Sequence, residues 1–66
     1  MIKLSDIKVG DIVQLRPNFG TGRPIEAKVD GVHLNIKNGM PGIDYHQVEG
    51  SFSWAYLDQV DKVVRK

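Results

Sequence analysis

Residues 25–37, IEAKVDGVHLNIK, contain two alternating apolar–polar runs that are out of phase with each other. The apolar positions are Ile25, Ala27 and Val29 before Gly31, and Val32, Leu34 and Ile36 after it. Side chains alternate with a period of two along a strand, so a slip of one residue would turn the second run inside out. A bulge or sharp bend at Gly31 inserts one residue and keeps both runs facing inward. The stretch predicts one long strand bent at mid-length, as a small closed barrel requires.

Short alternating runs separated by glycine, proline and asparagine flank this strand and predict four more strands. They span residues 11–17, 42–48, 51–56 and 61–66. In the first of them, Val13 and Leu15 are the inward positions. Turns are expected at residues 37–42, where Asn38-Gly39 and Pro41-Gly42 are the signals, and at Glu49-Gly50. Residues 4–7 and 57–60 predict single turns, because no window has the apolar spacing of an amphipathic helix.

This order of elements resembles an SH3-like barrel over nearly the whole chain. Its most recognisable piece is KVGDIVQL, residues 8–15. A Gly-Asp-x-Val sequence opens many SH3-like barrels, including the KOW domains of ribosomal and transcription proteins, where glycine and acid form the turn before the first strand. NFGTGR, residues 18–23, is similar to the glycine-rich basic loop of KOW domains, and Pro24 departs from their pattern. The resemblance implies a five-stranded all-β SH3-like barrel, residues 1–66, and admits nucleic-acid binding.

Composition limits the classes of function. The 66 residues suffice for one domain, and the lack of cysteine excludes disulfides and thiolate zinc sites. Nine basic and eight acidic residues give a net charge of +1, which is too balanced to indicate DNA binding. The chain shows no signal-peptide pattern and no apolar stretch near the ~20 residues of a membrane helix. We expect a cytoplasmic protein with no membrane contact.

The loop RPNFGTGRPIEA, residues 16–27, has two glycines but not the spacing of a phosphate loop. A Walker loop needs a Lys-Ser/Thr pair leading into a helix, whereas here a strand follows. The loop therefore predicts the wide first turn of a barrel. Arg16 and Arg23 lie in an acid-free segment, and Phe19 at the tip could stack on a base or on a partner's side chain.

Phe52, Trp54 and Tyr56 share one face of the fourth strand, because they are two residues apart. If this face points inward, the aromatic side chains are the core, which is the arrangement that we favour. If Ala55 points inward instead, they form an exposed apolar surface of the kind that marks an interface. Tyr45 on the third strand can join either arrangement.

The sequence gives little support for a catalytic site or a metal site. Asp44 and His46 share a strand face, but no second such pair supplies the remaining ligands, and His33 is the only other histidine. Ser51 and Ser53 lack a nucleophile-elbow signal, and a barrel this small seldom encloses a substrate pocket. We expect no enzyme activity, catalytic residue, metal, cofactor or small-molecule substrate.

The sequence predicts a non-enzymatic binding module with two alternative partners. The first is another protein or a second copy of the chain, contacted through the aromatic side chains of the first loop and of strands three and four: Phe19, Tyr45, Phe52, Trp54 and Tyr56. The alternative is weak RNA or DNA binding through phosphate contacts from Arg16, Arg23, Lys28 and Lys37, with one aromatic for stacking.

Overall fold

Five antiparallel strands form one sheet in the computed structural model, which describes residues 2–47 and 50–65. The strands are β1 (Ile12–Leu15), β2 (Ile25–Lys37), β3 (Met40–His46), β4 (Phe52–Tyr56) and β5 (Val60–Arg65). Their order is β4-β3-β2-β1-β5, so β4 and β5 are the edges, and over the described residues the sheet stays open between them. Two 3₁₀ turns, Leu4–Asp6 and Leu57–Gln59, precede β1 and β5. The prediction of an all-β chain with five strands is confirmed.

Across residues 2–47 and 50–65 we find no helix with the length and apolar character that crossing a membrane demands.

The long strand β2 bends where its sequence changes phase. Its first half pairs with β1 and its second half with β3. Val29 lies opposite Tyr45, but Gly31 lies opposite Asp44, so Asp30 is the extra residue of a bulge. The predicted interruption is confirmed, one residue before Gly31.

A second irregularity of β2 makes the prediction for Leu34 wrong. The register runs from His33 opposite Gly42 to Lys37 opposite Met40, so three residues of β2 face Pro41 alone. Strict alternation is lost over this segment, and Leu34 is 83% exposed instead of facing inward. The cause is a second bulge, with three residues of β2 opposite one of β3, and no phase change in the sequence indicates it.

The core lies on one face of the sheet. Every strand contributes to a single cluster of buried side chains: Ile7, Val13, Leu15, Ala27, Val29, Ile43, Tyr45, Ala55 and Val60. Val13 and Leu15 are fully buried, as predicted. Since each fully buried aliphatic side chain contributes about 1.5–3 kcal/mol, this small cluster carries most of the stability.

The turn between β2 and β3 is shorter than predicted. Asn38 and Gly39 have φ angles of 56° and 76°, which suit a two-residue hairpin. The predicted second turn at Pro41-Gly42 is wrong, because both residues belong to β3. A Cβ atom at Gly42 would overlap the Ala55 carbonyl oxygen and the Ile36 side chain. This glycine therefore permits close approach of β3 and β4 rather than a turn.

The connection from β3 to β4 closes with two backbone hydrogen bonds. Gln47 N donates to Ser51 O at 3.2 Å, and Gly50 N donates to Gln47 O at 2.8 Å. The hairpin predicted at Glu49-Gly50, the end of the third predicted strand at Val48 and the last residue of the fifth at Lys66 lie wholly or partly outside the described residues. The single turn predicted at residues 57–60 is confirmed by the 3₁₀ turn Leu57–Gln59.

The turn predicted before β1 is present. Gly10 has a φ angle of 97°, and Lys8 N donates to the Asp11 carboxylate at 2.9 Å. Asp11 is buried, and its carbonyl oxygen accepts from Val29 N at 2.9 Å. The turn thus fixes the start of β1 against β2.

Candidate contact surface on the fourth strand

The aromatic residues of β4 point away from the core. Ala55 is fully buried opposite Ile43, whereas Phe52 is 77% exposed and Trp54 and Tyr56 are half-buried. The favoured prediction of an aromatic core is therefore wrong. Ile43 and the aliphatic residues of β1 and β2 already fill the interior, so only a small side chain fits there from β4.

Three aromatic side chains meet on this outer side and form what we call the aromatic cluster: Phe19, Trp54 and Tyr56. The ring centroids of Phe19 and Trp54 are 6.3 Å apart, and those of Phe19 and Tyr56 are 6.2 Å apart. Trp54 and Tyr56 are 5.0 Å apart and pack edge to face. These separations lie within the range of favourable aromatic pairs. The cluster joins the first loop to β4.

The backbone of the first loop holds Phe19 in an unusual conformation. Asn18 and Phe19 have φ angles of 55° and 57°, and Gly20 follows at 92°. A left-handed conformation is rare for a bulky residue and is unfavourable unless its surroundings enforce it. Here Gly22 N donates to Pro17 O at 2.9 Å and Thr21 N to Asn18 O at 3.1 Å. These bonds close the loop and leave the Phe19 side chain 74% exposed.

Gln59 anchors the base of this loop. Its backbone oxygen accepts from Arg16 N and its side-chain Nε2 donates to Arg16 O, both at 2.9 Å. Its side-chain oxygen accepts from Tyr56 N at 2.9 Å. The residue is buried with both ends of its amide paired, so it ties the end of β1 to the end of β4. The sequence carries no signal for this role, because the contacts join residues 43 positions apart.

Two clefts flank the aromatic cluster. The first, with a volume of about 200 Å³, lies between the first loop and β4 and is lined by Pro17, Asn18, Phe19, Tyr45, Ser53, Trp54 and Gln59. The second, also about 200 Å³, is almost wholly apolar and is lined by Ile2, Met40, Pro41, Tyr56, Leu57 and Asp58. Tyr56 belongs both to the cluster and to the second cleft. The aromatic cluster therefore connects a mixed polar and apolar cleft on one side with an apolar cleft on the other.

The other two predicted contact residues lie apart from the cluster. Tyr45 is 5% exposed on the inner face and contributes to the lining of the first cleft. Phe52 lies at the far end of β4, with its ring centroid 5.3 Å from that of His46. The structure thus brings together Phe19, Trp54 and Tyr56 of the five predicted residues.

The four cations predicted for nucleic-acid binding occupy separate places. Arg16 Nε lies 3.2 Å from the carboxylate of Asp61. Lys28 lies beside His46 and Arg65, whereas Lys37, nine residues further along β2, places Nζ 5.3 Å from the Trp54 ring centroid. Arg23 is exposed in the first loop. Only Lys37 contacts the aromatic cluster, as a cation over an aromatic face.

Asp44 and His46 each pair across to β2 rather than with each other. His33 Nε2 lies 2.7 Å from Asp44 Oδ2, and His46 Nδ1 lies 2.8 Å from Asp30 Oδ1. Among the residues that the structure describes, no group of three or more histidines and carboxylates is placed to hold a metal ion. The two pairs link β2 to β3, one at the bulged residue Asp30 itself and the other just beyond it, between His33 and Asp44.

A search of protein-family models finds none that matches the chain, and searches of curated proteins and of solved structures likewise find no match.

Proposed function

We propose that the chain is a non-enzymatic binding module built on an SH3-like small barrel. Three features support the barrel: β2 is bent and shared between two halves of the sheet, β1 pairs with both β2 and β5, and a 3₁₀ turn precedes β5. A sheet curved around one buried cluster is the geometry that such a barrel needs. The partner is another protein molecule, either a different chain or a second copy, and it contacts the aromatic cluster and the first loop.

The observation that carries this proposal is the left-handed backbone conformation of Phe19 together with the exposure of its side chain. A left-handed conformation costs about 1–3 kcal/mol, and a mostly exposed phenylalanine gains little burial in return. A fold selected for stability alone favours glycine or asparagine at this position. A strained aromatic side chain displayed beside two further aromatics is typical of a contact surface.

The environment of the cluster favours a protein partner over a nucleic acid. The second cleft is lined almost wholly by apolar groups, the first by polar and apolar groups in similar measure, and the net charge of the chain is +1. Binding to a polynucleotide draws on several cations placed along one groove. Here Arg16 is engaged by Asp61, and Lys28 is remote from Lys37 along β2.

The proposal is tested with the intrinsic fluorescence of Trp54, which is the only tryptophan of the chain. Peptides selected from a random display library against the protein are expected to shift its emission, and Phe19→Ala is expected to weaken their binding by at least tenfold. Val9→Ala is the matched control, because Val9 is also an exposed apolar residue, at 65% exposure, but lies in the turn before β1. Equal binding by both variants would contradict the proposal.

RNA or DNA binding is the second candidate, and the position of Lys37 over Trp54 favours it. This pair could combine base stacking with a phosphate contact. The expected result is binding of labelled single-stranded RNA that weakens steeply with salt and with Lys37→Ala. Binding that tolerates salt, or no binding, would reject this candidate and leave the protein contact.

A further inference from the structure

The outer edge of β4 carries backbone groups that point away from β3. The bond from Gln47 N to Ser51 O fixes the alternation of the β3–β4 ladder, so Tyr45 with Ser53 and Ile43 with Ala55 are its hydrogen-bonded pairs. The backbone N–H and C=O groups of Phe52, Trp54 and Tyr56 must then point to the opposite side. Within residues 2–47 and 50–65, no strand of the chain pairs with that side.

At this edge the backbone groups of Phe52 and Trp54 are free of the contact that Tyr56 makes. Tyr56 N already donates to the Gln59 side chain at 2.9 Å. Phe52 and Trp54 keep both their N–H and their C=O groups directed at the open edge. The first cleft adjoins Ser53 and Trp54 and separates this part of the strand from the first loop.

The two edges of the sheet differ in charge. β5 carries Asp61, Lys62 and Arg65, and charged side chains on an edge strand discourage pairing with other chains. The segment from Gly50 to Leu57, which contains β4, has no charged residue and no proline. The sequence therefore protects the β5 edge and leaves the β4 edge able to pair.

We propose that β4 pairs antiparallel with β4 of a second copy of the chain, about a two-fold axis at Ser53. This inference rests on the proposed function and names the partner. Phe52 exchanges both backbone hydrogen bonds with the partner's Trp54, and Trp54 does the same with the partner's Phe52. On the outer face the same register sets Phe52 beside the partner's Trp54, which is a favourable cross-strand aromatic pair.

The register of the β4 pair follows from which backbone N–H groups already donate hydrogen bonds within the chain. Centring the pair on Trp54 would need the N–H of Tyr56, which Gln59 holds. Centring it on Phe52 would need the N–H of Gly50, which donates to Gln47 O at 2.8 Å. Only the axis at Ser53 uses groups that are free of these bonds. A small hydroxymethyl side chain at the axis lets the two strands approach.

A second copy suits this edge because the segment is compatible with itself. Antiparallel pairing of an uncharged strand places no like charges opposite one another. Two-fold symmetric dimers are the commonest assemblies of a single chain, and their interface uses one surface patch twice. An extended strand of a different protein is the other occupant that the experiment must separate.

The test is a single cysteine at the axis, Ser53→Cys, in a chain that has no other cysteine. Directly opposed residues that are not hydrogen-bonded lie about 4.5 Å apart at Cα, within the range of a disulfide. Mild oxidation is expected to yield a covalent dimer. The control is Ser51→Cys on the same face of the chain. Its two copies would lie about four residues apart along the paired strands, roughly 13 Å, which is too far for a disulfide.

A second variant, Ser53→Asp, places two carboxylates at the axis and is expected to raise the dimer dissociation constant at least tenfold. Ser53 lines the first cleft, but it is not one of the three residues of the aromatic cluster. Dimerisation of both cysteine variants at equal rates, or of neither, overturns the β4 pairing. If the pairing fails while Phe19→Ala still weakens peptide binding, the aromatic contact surface stands and its partner is a different protein. If peptide binding is also insensitive to Phe19→Ala, both proposals fail.

Discussion

At Phe19 and Gly42 the backbone, rather than the side chain, decides which residue is suitable. Phe19 occupies a left-handed conformation that bulky residues avoid. Gly42 is buried at a place where the β4 backbone leaves no room for a Cβ atom. The conformation of Phe19 lowers the stability of the fold, whereas the missing side chain of Gly42 is needed for it. Substitutions at these two positions should therefore change the free energy of unfolding differently.

Gly42→Ala is expected to destabilise the protein strongly. The added methyl group meets the backbone oxygen of Ala55, which cannot move without shifting β4. Overpacking of this kind costs about 1–3 kcal/mol, a large share of the few kcal/mol available to so short a chain. Urea denaturation measures the loss. Gly39→Asn is the control: nothing lies within 4 Å of its Cβ position, and asparagine tolerates the φ angle of 76°. An equal loss in both variants would contradict this account of Gly42.

Phe19→Asn is expected to abolish peptide binding while changing the free energy of unfolding by less than about 1 kcal/mol. Asparagine tolerates the left-handed conformation, so relief of strain offsets the lost aromatic pairs, which are worth about 0.5–1.5 kcal/mol each. Thermal unfolding and Trp54 fluorescence titration measure the two quantities separately. A large loss of stability would show that Phe19 is a structural residue instead.

At the scale of elements, the first loop is held by residues distant in sequence. Gln59 in the second 3₁₀ turn bonds to Arg16, directly after β1, and to Tyr56, the last residue of β4. The loop can therefore present Phe19 in one place although it has no regular structure. Loops positioned by a rigid scaffold commonly carry binding residues.

Gln59→Leu is expected to destabilise the protein by about 1–3 kcal/mol, because Arg16 O and Tyr56 N lose their partner at a part-buried site. It should also loosen the first loop and weaken peptide binding. Arg16→Met removes only the ion pair with Asp61, and such exposed pairs contribute about 0–1 kcal/mol. Urea denaturation of the two variants compares the effects, and a larger loss for Arg16→Met would contradict the anchoring role of Gln59.

The sequence predicted those elements whose cause is local. The bulge in β2 follows from its phase change, and the turn before β1 follows from Gly10 and Asp11. Pro41-Gly42 misled because the same glycine that signals a turn also permits close strand packing. The direction of the β4 aromatic residues depended on which residues of other strands fill the core, and Gln59 acts over a long sequence distance. Neither the orientation of the β4 aromatic residues nor the role of Gln59 can be recognised from a single sequence.

At the scale of the whole molecule, one sheet edge is charged and the other is not. A sheet with strand order β4-β3-β2-β1-β5 leaves both outer strands with unpaired backbone groups in the described part of the chain. Charges on β5 discourage association there, whereas the uncharged β4 combines backbone donors with exposed aromatic side chains. Contact with a second copy at β4 would cover both features at once.

The most direct test of this account is the mass in solution by sedimentation equilibrium over a range of protein concentrations, at low and high salt. The chain has a mass of 7.4 kDa. We predict that the apparent mass of the wild-type protein and of Val9→Ala rises with concentration toward twice this value, independently of salt. The apparent mass of Ser53→Asp and of Trp54→Ala is expected to stay near that of the monomer. A wild-type mass that stays at the monomer value over the whole range, or a dimer that Ser53→Asp and Trp54→Ala leave unchanged, would contradict the assignment of β4 as the contact surface between copies.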